Sequence, residues 1–115
     1  MSHATIRTDE TGRITGWDAG AELLFGHTSD AAIGRPVDII IPEPLRAAHW
    51  AGFHRAMREP QIKDMAADLP VLCADGTIRE FAGRLLALSD ALGVAIGAMA
   101  IYTDDGLTGR KPFRL

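Results

Sequence analysis

Cysteine is almost absent from this chain: Cys73 is the only one in 115 residues. No intrachain disulfide can form, so nothing here calls for an oxidising compartment. The histidines are His3, His27, His49 and His54, and neither a His-x-x-x-His nor a Cys-x-x-Cys pair occurs, which leaves zinc without a ligand pattern. Charge of one sign is also lacking. The formal net charge is -3, and the only basic cluster, Arg110, Lys111 and Arg114, is short and mixed with Gly and Pro. A nucleic-acid partner needs a denser Lys/Arg stripe, so the cluster reads as a solvated tail. No apolar run approaches the length of a membrane span, and the least polar stretch, Leu92 to Tyr102, suits a buried strand. No charged-then-apolar leader opens the chain. Together these gaps predict a cytoplasmic protein with no membrane or nucleic-acid partner. Ser2, Ser29 and Ser89 sit in no nucleophile motif and there is no Gly-rich phosphate loop, so an enzyme is not expected.

What is present is an ordinary globular composition, 47% hydrophobic and 23% charged, on a length that suits one domain. Ala4–Asp9 alternates as a strand. Asp9-Glu10-Thr11-Gly12 turns the chain, and Arg13–Trp17 returns. Asp18 can cap a short helix over Ala19–Phe25, which Gly26 ends. A second short helix, started by Thr28-Ser29-Asp30, is predicted over Ala31–Ile33, with Gly34 as its stop. Residues 35–42 read as an extended or single-turn connector. Glu43–Arg58 is the longest helix, with Pro44 in its first turn, where the missing N–H costs nothing. Glu59-Pro60 breaks it, and residues 61–66 read as a loop or a short linker helix. Three strands follow, over about Ala67–Cys73, Ile78–Leu88 and Val94–Thr103, with turns at Asp75-Gly76-Thr77 and Ser89–Gly93. Residues 1–104 form the domain and 105–115 a tail or linker stub. Strands at both ends with helices between give an α+β fold, simplest as a five-stranded antiparallel sheet with short helices and one long helix on one face.

On the long helix, Leu45, Ala48, His49, Gly52, Phe53 and Ala56 fall on one stripe. His49 lies at its centre, which directs the imidazole toward the sheet. A buried imidazole needs a partner for each nitrogen. A metal plus an acceptor would serve, and so would a backbone carbonyl or Asp38. Ala48 and Gly52 beside it are small enough to leave room for a flat ligand. His54, five positions on, should face solvent with Arg55 and Arg58.

The element order and the local residues resemble PAS domains. Gly12-Arg13-Ile14-Thr15-Gly16-Trp17-Asp18, then Ala21-Glu22, then Phe25-Gly26-His27, is similar to the PAS entry pattern of Trp-Asn, Ala-Glu and Phe-Gly-Tyr, with Asp18 for Asn and His27 for Tyr. Ile33-Gly34-Arg35 and Asp75-Gly76-Thr77 match two later PAS motifs, with Ala74 in place of a Lys. The resemblance runs over about residues 4 to 104. Pro42-Glu43-Pro44-Leu45-Arg46-Ala47-Ala48-His49 further resembles the Pro-Glu-Pro-x-Arg-x-x-His run of haem-binding PAS domains in oxygen-sensing histidine kinases, whose His ligates the iron. In related phosphodiesterases a Met ten residues before the hairpin Asp is a second axial ligand, and that count reaches Met65.

The resemblance therefore implies a sensory domain that binds haem b. His49 would be the proximal iron ligand and Met65 the possible distal one, with Leu45, Phe53, Leu69, Val71 and Leu85 as pocket walls. A diatomic gas (CO, O2 or NO) or a redox change would be detected at iron and relayed by conformational change to an output domain or partner protein. The alternative is a haem-free PAS module for small-ligand binding or dimerisation. The family's gas-holding Arg is replaced by Ala67, which implies readier binding of carbon monoxide than of oxygen. Cys73 is outside the Asn-Cys-Arg context of flavin-binding PAS domains, so no flavin is expected. The last strand, with Val94, Ile96, Met99 and Ile101 among Ala95, Gly97, Ala98 and Ala100, is apolar on both faces. Something should cover its second side, and a homodimer is expected.

Overall fold

Two segments from opposite ends of the chain meet in the middle of the sheet. The computed structural model describes residues 2–59 and 64–114. β1 is His3–Asp9, β2 Ile14–Trp17, β3 Asp64–Leu72, β4 Ile78–Ser89 and β5 Ala95–Thr103. They form one antiparallel sheet in the order β2-β1-β5-β4-β3. β1 pairs with β5 along its whole length, from His3 opposite Thr103 to Asp9 opposite Gly97. Side chains alternate across a strand, so the register sorts them into faces. Ala4, Ile6 and Thr8 of β1 share the inner face with Ala98, Ala100 and Tyr102 of β5 and Phe81, Gly83, Leu85 and Ala87 of β4. Met65, Ala67, Leu69 and Val71 continue that face on β3.

Local chemistry makes the turns. Asp9 Oδ1 accepts from the Thr11 N–H at 2.9 Å, the Thr11 hydroxyl at 2.6 Å and the Arg13 N–H at 3.1 Å. Asp75 repeats the pattern with the Thr77 N–H and hydroxyl at 3.0 and 2.7 Å. Such side-chain bonds are why Asp starts turns. β3 carries Pro70 in mid-strand, which is tolerated because β3 is the sheet's outer strand.

The helices lie between β2 and β3. α1, Ala19–Phe25, is capped by Asp18, whose Oδ1 accepts from the Ala21 N–H at 2.8 Å. The same carboxylate takes the Thr5 N–H at 3.1 Å, tying the helix start to β1. α1 packs so closely there that a Cβ on Gly20 would overlap the His3 carbonyl oxygen. α2 is Ser29–Ala32, starting within the predicted Thr28-Ser29-Asp30 initiation, and Thr28 is its cap. The connector holds a 3-10 turn over Val37–Ile40. The predicted long helix divides: Glu43–Leu45 is a 3-10 turn, and α3 proper is Arg46–Arg58. The predicted loop over 61–66 lies outside the described residues up to 63, and from Asp64 it is strand. β3 thus starts before the predicted Ala67, because Met65 and Ala66 pair with Leu85 and Arg84. Among the described residues no helix is long and apolar enough to cross a membrane.

The core sits under α1. Phe25 is 5.4 Å from Phe81 and 5.0 Å from Tyr102, ring centre to ring centre, both edge-on, and Trp17 closes on it at 5.8 Å. Leu69, Val71, Ile14 and Ile40 are buried around this cluster. Burial pushes the Tyr102 phenol well above its ordinary pKa.

Candidate functional site

The inner face of the sheet is filled at one end and half-open at the other. Phe81, Tyr102, Leu69 and Val71 occupy the filled end. Met65, Leu85, Ala87 and Ala98 are only half-buried. α3 stands over this second end. Its Trp50 ring lies against Gly12 in the β1–β2 turn, where a Cβ would overlap it, and Gly12 has the positive φ of 87° that only glycine adopts readily. The Trp50 Nε1–H donates to Asp38 at 3.3 Å. Phe53 is the buried residue of the helix.

His49 is next to Trp50, with ring centres 5.0 Å apart, and it stacks on Phe53 at 6.3 Å and 24°. Its Nδ1 is buried and has no hydrogen-bond partner. Asp38, a candidate partner in the sequence, is bonded by Trp50 instead. Burial pushes the imidazole toward its neutral form; Asp38 opposes this and His54 adds to it. His54 is exposed, as its helical angle requires, and stacks on the outer side of Trp50 at 5.8 Å. A second polar atom is also left alone: the Thr8 hydroxyl, buried on the inner face at the same end of β1. Buried polar atoms are nearly always partnered by protein or ordered water, so these two atoms leave polar positions near the half-open face that a water or a ligand could satisfy.

The stripe predicted for α3 is rolled relative to the sequence reading. Ala48 and Gly52 are exposed, and a Cβ on Gly52 would meet nothing. The face turned inward runs through His49, Trp50, Phe53 and Met57. The room that Ala48 and Gly52 were expected to leave beside His49 is therefore on the solvent side. The large Trp50 ring, seated on Gly12 and bonded to Asp38, sets the roll.

The predicted site residues fall into groups. His49 and Phe53 are brought together on α3, and Leu45 lies half-buried in the turn before it. Met65 and Leu85 are direct cross-strand partners on the half-open face. Leu69 and Val71 belong to the filled end, beside Phe81. α3 rests chiefly on β5, and β3 is two strands away, a span of about 10 Å at the usual strand spacing. Thr8 and Trp50 were missed as site residues. The alternation Ala4, Ile6, Thr8 was the available signal for the first. Cys73 is buried, and burial raises its thiol pKa, so it is an inert packed thiol. Among the described residues no group of three or more His, Cys, Asp or Glu is placed to hold a metal ion. Two surface hollows, of about 350 and 480 Å³, lie on the outer side of the sheet, the first beside Thr5, Arg7 and Met99, the second beside Pro70, Glu80 and Lys111.

Comparison with known proteins bears on this arrangement. Residues 1–104 match the family model described as the PAS fold. An uncharacterized protein of Azorhizobium caulinodans is 38% identical over 78 residues, which are 65% of this chain and 11% of that protein. The chain thus spans only about a tenth of that much longer relative. A PAS domain from Colwellia psychrerythraea superposes with a TM-score of 0.77 at 24% identity, covering 89% of this chain and 85% of that one. The PAS domain of the Cronobacter turicensis quorum-sensing receptor RpfR, in complex with C12:0, does so with 0.72 at 16% identity, over 92% and 96%.

Proposed function

This chain belongs to the PAS family of sensory signalling domains, and from that premise we propose that it holds a small ligand between α3 and the half-open inner face, with His49 as the polar anchor. We read the ligand as haem b. The observation that carries this reading is the buried, unpartnered Nδ1 of His49. An imidazole kept neutral by burial is in the form that ligates metals, and an orphaned ring nitrogen is what a missing partner leaves. Haem brings four ring nitrogens of its own, which suits a chain whose described acidic, Cys and His side chains do not cluster. Met65, half-buried on the inner face, would offer a thioether as a second protein ligand to the iron. Leu45, Phe53 and Leu85 would wall the site, with Leu69 and Val71 behind them. When bound, haem supplies an iron that takes a diatomic gas or changes redox state. Ala67 offers such a gas no hydrogen bond. The signal would pass to an output domain or partner protein.

The test is absorbance spectroscopy of purified protein titrated with haem. A stoichiometric Soret band is expected, lost in His49→Ala and kept with an altered spin state in Met65→Ala. A wild type that never acquires the band, or a His49→Ala protein that keeps it unaltered, ends the haem reading.

A second reading has its own support. The half-buried strip Met65, Leu85, Ala87 and Ala98 is wholly apolar, and the similar Cronobacter domain is complexed with C12:0. Under that reading dodecanoate, not haem, raises the melting temperature. Either way, a second copy of the chain suits the outer face of β4 and β5. Leu86, Leu88, Met99 and Ile101 are half-buried there, and Val94 and Ile96 at the end of that hairpin are 58% and 50% exposed. Sedimentation showing only monomer at high concentration removes the homodimer.

A further inference from the structure

Asp68 is the one wholly buried charged side chain among the described residues. Its neighbours Ala67 and Leu69 face the core, so its carboxylate points to the outer side of β3. An ionised carboxylate out of water needs dedicated donors. All of those seen here come from the segment after β5. Thr108 gives its N–H at 2.6 Å and its hydroxyl at 2.8 Å to Oδ1. Gly109 gives its N–H at 2.9 Å, and Lys111 its ammonium at 3.3 Å, to Oδ2. Lys111 also reaches Glu80 of β4 at 2.6 Å. The backbone closes the contact, because the Asp68 N–H donates to the Arg110 carbonyl at 2.7 Å. β3 is the sheet's outer strand, and an uncovered outer strand presents such N–H groups to any passing chain. Phe113 then packs against the edge of the core, near Pro70 and Ile78.

We propose that residues 108–113 form a releasable strap, latched on Asp68, which closes the β3 edge and fixes the path of the chain beyond β5. The strap residues are exposed apart from a half-buried Phe113. Their docking therefore rests mainly on polar contacts, four of them to the Asp68 carboxylate, with Phe113 as the strap's one apolar contact to the core. Segments with few buried apolar contacts open independently of the global fold. Release returns the Asp68 carboxylate and N–H to water, so neither is stranded in the open state. The open state frees the chain from residue 104 onward and uncovers an edge that another strand could pair with. The device stands whatever ligand the inner face takes.

Hydrogen exchange with residue-level readout on the full chain tests it. In wild type the amides of Asp68 and of residues 108–111 should exchange more slowly than an unstructured reference. Asp68→Asn keeps the shape but removes the charge that four donors converge on. It should speed exchange over residues 108–111 at least tenfold and leave β4 and β5 protected. If Asp68→Asn does not fold, Thr108→Pro decides, because it deletes the Thr108 N–H and hydroxyl and leaves Asp68 intact. Wild-type protection retained in a folded variant overturns the latch. So does a loss of protection in β4 and β5 together with the segment in Thr108→Pro, since the segment would then be part of the core. Unstructured-like exchange of residues 108–111 in wild type overturns it as well.

Discussion

Replacing His49 by leucine should make the ligand-free protein more stable, not less. A buried polar atom without a partner costs about 1–3 kcal/mol, and His49 Nδ1 is such an atom. Leucine is close to histidine in size and has a slightly better helix propensity. Against this, the variant loses the imidazole's two contacts with Trp50 and Phe53. Each such aromatic pair contributes about 0.5–1.5 kcal/mol. At the lower end, which suits a half-buried ring, the two together cost about 1 kcal/mol against about 2 kcal/mol for the orphaned nitrogen. The balance is a gain of about 1 kcal/mol, or roughly 4 °C in melting temperature for a domain of this size. The gain should also depend on pH with a definite sign. Burial lowers the imidazole's pKa from 6.5 in the folded protein. Below 6.5 the unfolded chain therefore binds more protons than the native one, and wild type loses stability as pH falls. Leucine has no such loss, so its advantage widens on acidification. Thermal and urea unfolding of haem-free protein at about pH 8 and about pH 5.5 measure both quantities. Destabilisation by leucine at both values, or a gain that shrinks in acid, would show that Nδ1 has a partner in solution and refute the reasoning. The same variant should retain no haem, so that stability and ligand binding move in opposite directions, as they do at many binding sites.

Phe25→Ala should lower stability by about 3–5 kcal/mol, because the ring is buried among Phe81, Tyr102 and Trp17; denaturant melts check it, and a loss below about 1 kcal/mol would mean the cluster is loosely packed. Gly20→Ala should destabilise by about 1–3 kcal/mol despite alanine's better helix propensity, since its Cβ would overlap the His3 carbonyl and overpacking outweighs propensity. Gly52→Ala, on the exposed side of α3 with nothing near its Cβ, should instead stabilise by up to about 1 kcal/mol, and the opposite sign would place that face against something. For Asp68, burial raises the pKa, but hydrogen bonds from Thr108 and Gly109 and the Lys111 ammonium outweigh it, and the net shift is below 3.8. Its contribution is therefore complete above 3.8 and lost as pH falls further, so exchange protection of residues 108–111 should hold unchanged from about pH 8 to about pH 5.

Features whose causes are local could be read from the residues. Asp9 and Asp75 make their turns with their own neighbours, and Asp18 caps the helix it precedes. The inward direction of His49 followed from its place on an amphipathic stripe. The roll of α3 did not, because a stripe weighs Ala48 and Gly52 equally with Trp50, whereas in the fold the largest ring is the one that is seated, against Gly12 and on Asp38. That seat, Gly12, lies far back in the sequence, in a turn. Asp68 was equally opaque. Its partners follow 40 to 43 residues later in a segment that reads as a solvated tail. The start of β3 at Asp64 depends on pairing with β4 more than on the strand propensity of Met65 or Ala66.

The pairing of β1 with β5 has a consequence for how the chain comes into being. A ribosome releases β1 and β2 first, and they can form only a two-stranded ribbon, which is marginal in water. β3 and β4 can pair with each other when they emerge, but Ala100 and Tyr102, which join the two halves of the core, are among the last residues of the sheet to be made. Cooperative folding must wait until Thr103 has cleared the exit tunnel. The loop then closed by His3 and Thr103 encloses nearly the whole domain, so acquisition of the native state should be slow for a protein of this length. Until then the hairpin of β1 and β2 keeps an unpaired edge, and the nascent chain is most exposed to misassociation in that interval.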